Sequence, residues 1–230
     1  MDKKIKTIGM VVAMDKEITP FLSTVGESVG TQTKGGFTVY GYKLEDKTVY
    51  LIKSGIGEIY AAAATQVLIG EFGAEVVLNF GVCGALTKDI GVCDTVIVKG
   101  VVHYDFDLTG IDDVVIGQYP GYETPIIETT KEFIEISKKA MPNAKEVICA
   151  SADKFVSDKD IKIRLNTEFG AEVCDMECAA VLLTCNLHGV PTLIIKAVSD
   201  GEGGAEEFER CVHAASTAYI GAVKTIVKEL

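Results

Sequence analysis

Carboxylates, a serine and pairs of glycines stand at the ends of apolar runs along this chain. The first run ends at Ala13-Met14-Asp15-Lys16-Glu17, and a second at Lys53-Ser54-Gly55-Ile56-Gly57. A third ends at Asn79-Phe80-Gly81-Val82-Cys83-Gly84, and the last at Lys196-Ala197-Val198-Ser199-Asp200-Gly201. Asp175-Met176-Glu177 adds a carboxylate pair at the mouth of an otherwise apolar helical run. Ligands of an α/β sheet sit beyond the carboxyl ends of its strands, so these segments are candidates for one acid–base site. Each also has a plainer reading. Glu17 would serve as a first-turn acid favoured by the helix dipole, Asp200 as a turn residue before Gly201, and Glu177 as a helix cap or a partner for a structural lysine. Gly81 and Gly84 suit close approach of backbone to a ligand, or a tight turn. Gly55-x-Gly57 lacks the third glycine of a dinucleotide fingerprint, which argues against a nicotinamide cofactor. His103, His188 and His213 show no metal or triad pattern, and His188 reads as a helix C-terminal residue beside Gly189. Neither cofactor nor metal is expected.

The elements that must position these residues follow from hydrophobic patterning. Apolar, β-branched runs over 5–13, 37–44, 48–54, 76–82, 95–103, 147–152 and 192–198 read as strands. Several are continuously apolar, as for strands covered on both faces. Helical patterns occupy 58–72, 130–140, 158–169, 177–187 and about 205 to the C-terminus. Thr129-x-x-Glu132 has the form of a capping box, Ser157 is a good N-cap type before 158, and Gly189 with Pro191 stops the helix before them. Pro20 is best tolerated in a helix's opening turn, so Asp15–Glu17 are placed on the strand-to-helix turn. The alternation predicts one α/β domain over residues 1–230, a central mixed sheet flanked by helices. The irregular segment 105–125 carries Gly110, Gly117, Pro120 and Gly121, and a loop of that length usually serves function or an interface.

Composition narrows the partners. Of 230 residues, 48% are hydrophobic and 24% charged, which excludes a disordered or fibrous chain. Acidic residues outnumber basic ones 33 to 22, for a net charge of −11 with no Lys/Arg run, so nucleic acid is not an expected partner. The apolar run from Thr7 to Met14 is too short to cross a membrane, and the basic lead-in over 1–6 shows no small-residue cleavage site. Seven cysteines without a C-x-x-C pair read as buried free thiols of a reducing cytosol, and the protein is expected to be cytoplasmic.

Taken in order, Ala13-Met14-x-x-Glu17, Lys53-Ser54-Gly55-Ile56-Gly57, Asn79-x-Gly81-x-x-Gly84, Gly117-Gln118-x-Pro120-Gly121, Ser151-x-Asp153-x-Phe155, Asp175-Met176-Glu177 and Ser199-Asp200 resemble the methylthioadenosine/S-adenosylhomocysteine nucleosidases of the nucleoside phosphorylase superfamily. The resemblance runs across nearly the whole chain. It implies a three-layer α/β/α fold, a small-molecule nucleoside substrate, a homodimer and hydrolysis of the N-glycosidic bond through an oxocarbenium-like ribosyl cation.

Residue by residue, the resemblance makes Asp200 the general acid at adenine N7, oriented by Ser199, and Glu17 the acceptor of a proton from the attacking water. Glu177 would bind the ribose hydroxyls, with Asp175 beside it and Met176 against the sugar. Phe155 would stack on adenine while the Val156 backbone reads its Watson–Crick edge. Met14 and Ile56 would line the ribose and 5′ region, with Cys83 and Gly84 among the substrate-binding residues. The chain departs from the pattern at Val82, where a serine is common, and at Lys196, where an arginine is common; both positions are implied to help hold the water. The 105–125 segment differs from the family's aromatic-bearing loop, which reaches a neighbouring subunit's 5′ pocket. Futalosine-type hydrolysis, phosphorolysis and non-catalytic nucleoside binding are the alternative readings. Phosphorolysis is disfavoured because neither 15–17 nor 79–84 contains an arginine.

Overall fold

A computed structural model describes residues 5–24 and 27–230, so the lead-in over 1–4 lies outside the described residues. In chain order its elements are β1 (Thr7–Val12), α1 (Asp15–Leu22), β2 (Glu27–Lys34), β3 (Phe37–Leu44), β4 (Lys47–Lys53), α2 (Glu58–Phe72), β5 (Val76–Ala85), β6 (Thr95–His103), β7 (Ile127–Glu128), α3 (Lys131–Ala140), β8 (Lys145–Ser151), α4 (Lys159–Phe169), β9 (Val173–Asp175), α5 (Cys178–His188), β10 (Thr192–Asp200), α6 (Gly204–Ala218) and α7 (Ile220–Glu229).

The strands form one mixed sheet in the order β10-β6-β8-β9-β5-β1-β4-β3-β2, with β7 on β6. β10 also pairs with β5, so one half of the sheet closes on itself. β1, β4, β5 and β10 run parallel, which puts the carboxyl ends carrying Glu17, Ser54, Gly84 and Asp200 on one rim. β2, β3 and β4 form an antiparallel meander at the far side.

Alternation along the strands builds the layers. Ile8, Met10 and Val12 of β1 and Leu78 and Phe80 of β5 cluster with Phe21 of α1, Phe133 of α3, Val212 of α6 and Val223 of α7. Val11 and Val77 face the other way, toward Ala61, Ala64 and Leu68 of α2 and Val181 and Cys185 of α5. The alanines and Gly9 let α2 lie close on β1: a Cβ at Gly9 would come within 3.2 Å of the Leu68 side chain. The result is the three-layer α/β/α arrangement expected from the sequence.

Several local expectations are corrected. The strand β2 is exposed at every residue and pairs only with β3, so no apolar pattern announced it. The short strands β7 and β9 fell below the length at which a pattern shows. Asp15–Glu17 form the first turn of α1, and Pro20 sits inside that eight-residue helix. Thr129 makes no capping box; its hydroxyl donates to the Val98 carbonyl, and Thr130 occupies the N-cap of α3. Asp158, rather than Ser157, caps α4 by accepting from the Asp160 and Ile161 amides. The expected final helix breaks at Tyr219, whose fully buried ring packs 5.2 Å from that of Phe80. Five cysteines are buried, but Cys93 is exposed and Cys211 half-buried. None of the described helices is long and apolar enough to cross a membrane.

Candidate active site

The parallel rim opens on a cavity of about 360 Å³. Three of its acidic groups arrive from three different elements. Glu17 enters from the first turn of α1, Glu177 from the N-cap of α5, and Asp200 from the last residue of β10. Met14, Ile56, Phe155 and Met176 supply apolar wall, and Cys83, Gly84 and Ser199 complete the floor. Four carboxylates and no basic side chain line it among the described residues, the fourth being Asp175.

Glu17 is held by backbone alone. Its Oε2 accepts from the amides of Ala13 (2.9 Å) and Met14 (2.8 Å), and its Oε1 from the amide of Val82 (2.8 Å). A Cβ at Gly81 would strike Oε1, so glycine there is what lets the carboxylate reach β5. Burial raises its pKa, while the Lys196 charge and the three amides hold that rise back.

Glu177 Oε1 accepts from the Gly57 amide at 2.9 Å, where φ of +103° lets the β4–α2 turn aim its N–H at the site. Burial and the neighbouring Asp175 charge push Glu177 up to about 8. Asp175 lies beside it, but its carboxylate is already engaged: Oδ2 lies 2.7 Å from Lys196 Nζ, and the Cys178 amide donates to it at 3.2 Å. Burial alone would raise Asp175, yet the Lys196 charge together with hydrogen bonds from Cys178, Lys196 and Ser151 outweighs it and holds the group below the usual carboxylate range. Lys196 in turn loses hydration on burial, and Asp175 with the carboxylates beyond it restores and raises its affinity for the proton.

At the other end, Asp200 is 2% exposed and burial raises its pKa. The Ser199 hydroxyl lies 2.8 Å from Asp200 Oδ1 and 3.2 Å from the Cys83 carbonyl, so its single proton serves one of them at a time. A Cβ at Gly84 would come within 3.2 Å of Asp200 Oδ2, which leaves the carboxylate room only because residue 84 is glycine.

Two expected site residues do not line the cavity. Lys196 is 2% exposed and lies beneath it, paired with Asp175. Val156 has its side chain in the core patch of Val102, Tyr104, Ala150 and Leu165. Phe208 of α6 was missed, because nothing in an exposed helical pattern marks a residue for a distant cavity. It lines the mouth and meets Phe155 edge-on at 5.6 Å, with Lys16 Nζ 5.6 Å from its ring centre. Glu58 was also missed. Buried at the start of α2, it accepts from the Ser151 hydroxyl and from the Ala180 amide, each at 2.6 Å, which ties α2 to the N-terminus of α5. Burial and the Asp175 charge raise Glu58 to about 7.

Cys149, Asp175 and Cys178 bring three ligand-type atoms within 4.8 Å of one another. The Lys196 ammonium already supplies the cation there, and burial pushes the Cys178 thiol up to about 11, so this cluster is an ion pair among neutral thiols. A second, larger groove of about 1000 Å³ lies between 99–100, 121–135 and 146–148, away from the converging carboxylates.

Fold and cavity together define an α/β protein with a set of acid–base groups gathered at the carboxyl rim of its sheet. The chain belongs to the phosphorylase superfamily, whose family model matches residues 7–228, and it falls among the nucleosidases of that superfamily. It is 31% identical to the aminodeoxyfutalosine nucleosidase of Campylobacter jejuni over 88% of this chain and 89% of that protein. It is 30% identical to the 5′-methylthioadenosine/S-adenosylhomocysteine nucleosidase of Oceanobacillus iheyensis over 97% of this chain and all of the other. Among solved structures, the futalosine hydrolase of Helicobacter pylori superposes with a TM-score of 0.93 at 30% identity, covering 98% of this chain and 99% of that one. The Neisseria meningitidis 5′-methylthioadenosine/S-adenosylhomocysteine nucleosidase in complex with methylthio-immucillin-A superposes at 0.92 and 30% identity, covering 98% and 100%.

Proposed function

We propose that the protein hydrolyses the N-glycosidic bond of an adenine nucleoside bearing a 5′ substituent, 5′-methylthioadenosine or S-adenosylhomocysteine, releasing adenine and the free ribose derivative. The observation that carries this reading is the convergence of Glu17, Glu177 and Asp200 on one cavity whose remaining wall is mostly apolar. Asp200, whose affinity for a proton burial raises, gives that proton to adenine N7 as the N9–C1′ bond breaks and its electron pair moves into the base. Ser199 holds the acid's other oxygen. Positive charge builds on the ribose, next to Glu17 and Glu177, where a carboxylate wall stabilises it. Glu17 takes a proton from the water that attacks C1′, and Glu177 accepts from the ribose hydroxyls. Phe155 stacks on the base with Phe208 edge-on behind it, and Met14, Ile56 and Met176 contact the sugar and 5′ group.

Among the described residues the cavity wall carries acidic side chains and no basic one, so it offers no cation to hold a phosphate. That favours water as the nucleophile and disfavours phosphorolysis. A 5′-substituted futalosine-type nucleoside is the second reading, favoured by the 31% identity to an aminodeoxyfutalosine nucleosidase. We further infer a homodimer: no residue of the 105–125 segment lines this subunit's own cavity, which leaves the loop free to close that of a second copy. The chain's cysteine-rich core suits a reducing cytosol.

The test is release of free base from 5′-methylthioadenosine, S-adenosylhomocysteine, 5′-deoxyadenosine, aminodeoxyfutalosine, adenosine and inosine, with and without phosphate. Adenine release at full rate in phosphate-free buffer is expected for the 5′-thio substrates. Strict phosphate dependence, or preference for inosine, would overturn the reading.

A further inference from the structure

The acid of the proposed reaction, Asp200, is faced from three elements besides its own strand. Lys162 of α4 stands with Nζ 3.6 Å from Oδ2. Cys174 of β9 lies beside it across Gly84. Glu207 of α6 is turned to the backbone that follows, its Oε2 accepting from the Gly201 amide at 2.7 Å. On β10 itself, Ser199 bonds the opposite oxygen.

Lys162 is the unexpected member. Only 7% of it is exposed, and burying an ammonium is unfavourable unless its donors are matched. The helix gives it no partner: the next core residue of α4, Leu165, packs among Val102, Ala150 and Ala152. Instead the ammonium donates to the Gly201 carbonyl at 2.6 Å and to the Ala85 carbonyl at 3.3 Å. Gly201 immediately follows the acid, and Ala85 ends the strand that pairs with it through Gly84. One lysine therefore pins both strand ends that border the carboxylate. A methionine would fill the same space without desolvating a charge.

Resting on the nucleosidase reading above, we propose that Lys162 is a positioning residue for Asp200, fixing the ends of β5 and β10 on either side of the acid and supplying the ammonium that faces it.

The distance matters as much as the charge. Lys196 grips Asp175 at 2.7 Å, and Asp175 is held ionised. At 3.6 Å, with two donors committed to carbonyls, Lys162 opposes the effect of burial on Asp200 without cancelling it. Burial and Glu207 favour the protonated acid; Ser199 and Lys162 favour its release. Such a balance lets one carboxyl both hold and deliver a proton.

The experiment compares Lys162→Gln, Lys162→Met and Lys162→Arg by two readouts. The first is kcat against pH with 5′-methylthioadenosine. The second is a carbon-13 NMR titration of aspartate carboxyls, with Asp200 assigned through Asp200→Asn. Loss of the cation raises the acid's affinity for its proton, so the Asp200 midpoint and the alkaline limb of kcat both move up by about one pH unit in the Gln and Met variants. Both return toward the parent value in the Arg variant. At pH 7, kcat falls roughly tenfold in the Gln variant and further in the Met variant, which also strands two carbonyls. A folded Gln variant whose Asp200 midpoint is unmoved overturns the inference. If the parent protein cleaves no nucleoside, the functional reading fails while the NMR titration still decides the role of Lys162. Should the Met variant not fold, the Gln and Arg variants carry the comparison.

Discussion

The two ends of the cavity are built from the same parts and wired differently. Beneath the proposed sugar end, Lys196 and Asp175 form a buried pair at 2.7 Å, and Glu17 and Glu177 crowd the same ammonium. At the proposed base end, Lys162 stands 3.6 Å from Asp200 and gives its shorter contacts to carbonyls. A tight buried pair fixes the charge of both partners, so Asp175 and Lys196 act as scaffold. A loose one leaves the carboxyl free to change protonation, which is what a general acid requires. The sugar end relieves its surplus of negative charge in another way, by raising Glu177 to about 8 and Glu58 to about 7. Distance from the lysine, more than burial, separates the scaffold carboxylate from the working one.

The largest expected effect tests the base end. Asp200→Asn keeps shape and removes the transferable proton, so kcat should fall by at least about 10²–10⁴. Affinity for a substrate analogue should change far less, because an interaction made only in the transition state lowers kcat and spares ground-state binding. Near-normal kcat would return Asp200 to a structural strand end and dissolve the contrast.

Next comes the scaffold pair. Lys196→Met strands Asp175 in the core, and removing one partner of a buried pair costs about 3–5 kcal/mol. Urea unfolding should show that loss, and adding Asp175→Asn should recover most of it. Equal destabilisation by Lys162→Met would mean the two lysines are alike, against the comparison drawn from their distances.

A pH series sharpens the sugar end. Glu58 and Glu177 have folded-state pKa values of about 7 and about 8 against an ordinary 4.5, so the folded protein binds protons that the unfolded chain releases. Their contribution to stability is full below pH 4.5 and is lost as pH rises through about 7 and about 8. The melting temperature of the ligand-free protein should carry that slope, and Glu58→Gln should flatten its lower part. An unchanged slope in the Gln variant would remove Glu58 from the account.

The smallest effect is expected at Val82. Its contribution to Glu17 is a backbone N–H, which serine retains. Val82→Ser should therefore alter kcat by less than about threefold in a steady-state assay. A rise of tenfold or more would show that a hydroxyl there holds the water, as the family pattern implies.

The framework was legible in the chain because it rests on local chemistry. Continuous apolar runs gave β1, β5 and β10, and Gly189 ended α5. The polar edge strand β2 and the three-residue β9 carried no such signal. Glu17, Glu177 and Asp200 could be proposed because each stands at the end of a recognisable run.

By itself, then, the sequence determined the α/β class, the order of the strands along the chain and the acidic residues at their ends, since periodicity and turn residues act over a few positions. Tertiary structure decided the rest. Pairing of β5 with both β1 and β10 brought three strand ends to one rim, and the fold chose which lysine each carboxylate would meet. It took Lys196 out of the cavity, turned the Val156 side chain into the core, and brought in Phe208, Glu58 and Lys162 from helices whose periodicity marks no distant site. Hydrogen bonds and ion pairs between residues far apart in the chain depend on distances of a few tenths of an ångström, and only the packed fold sets those distances.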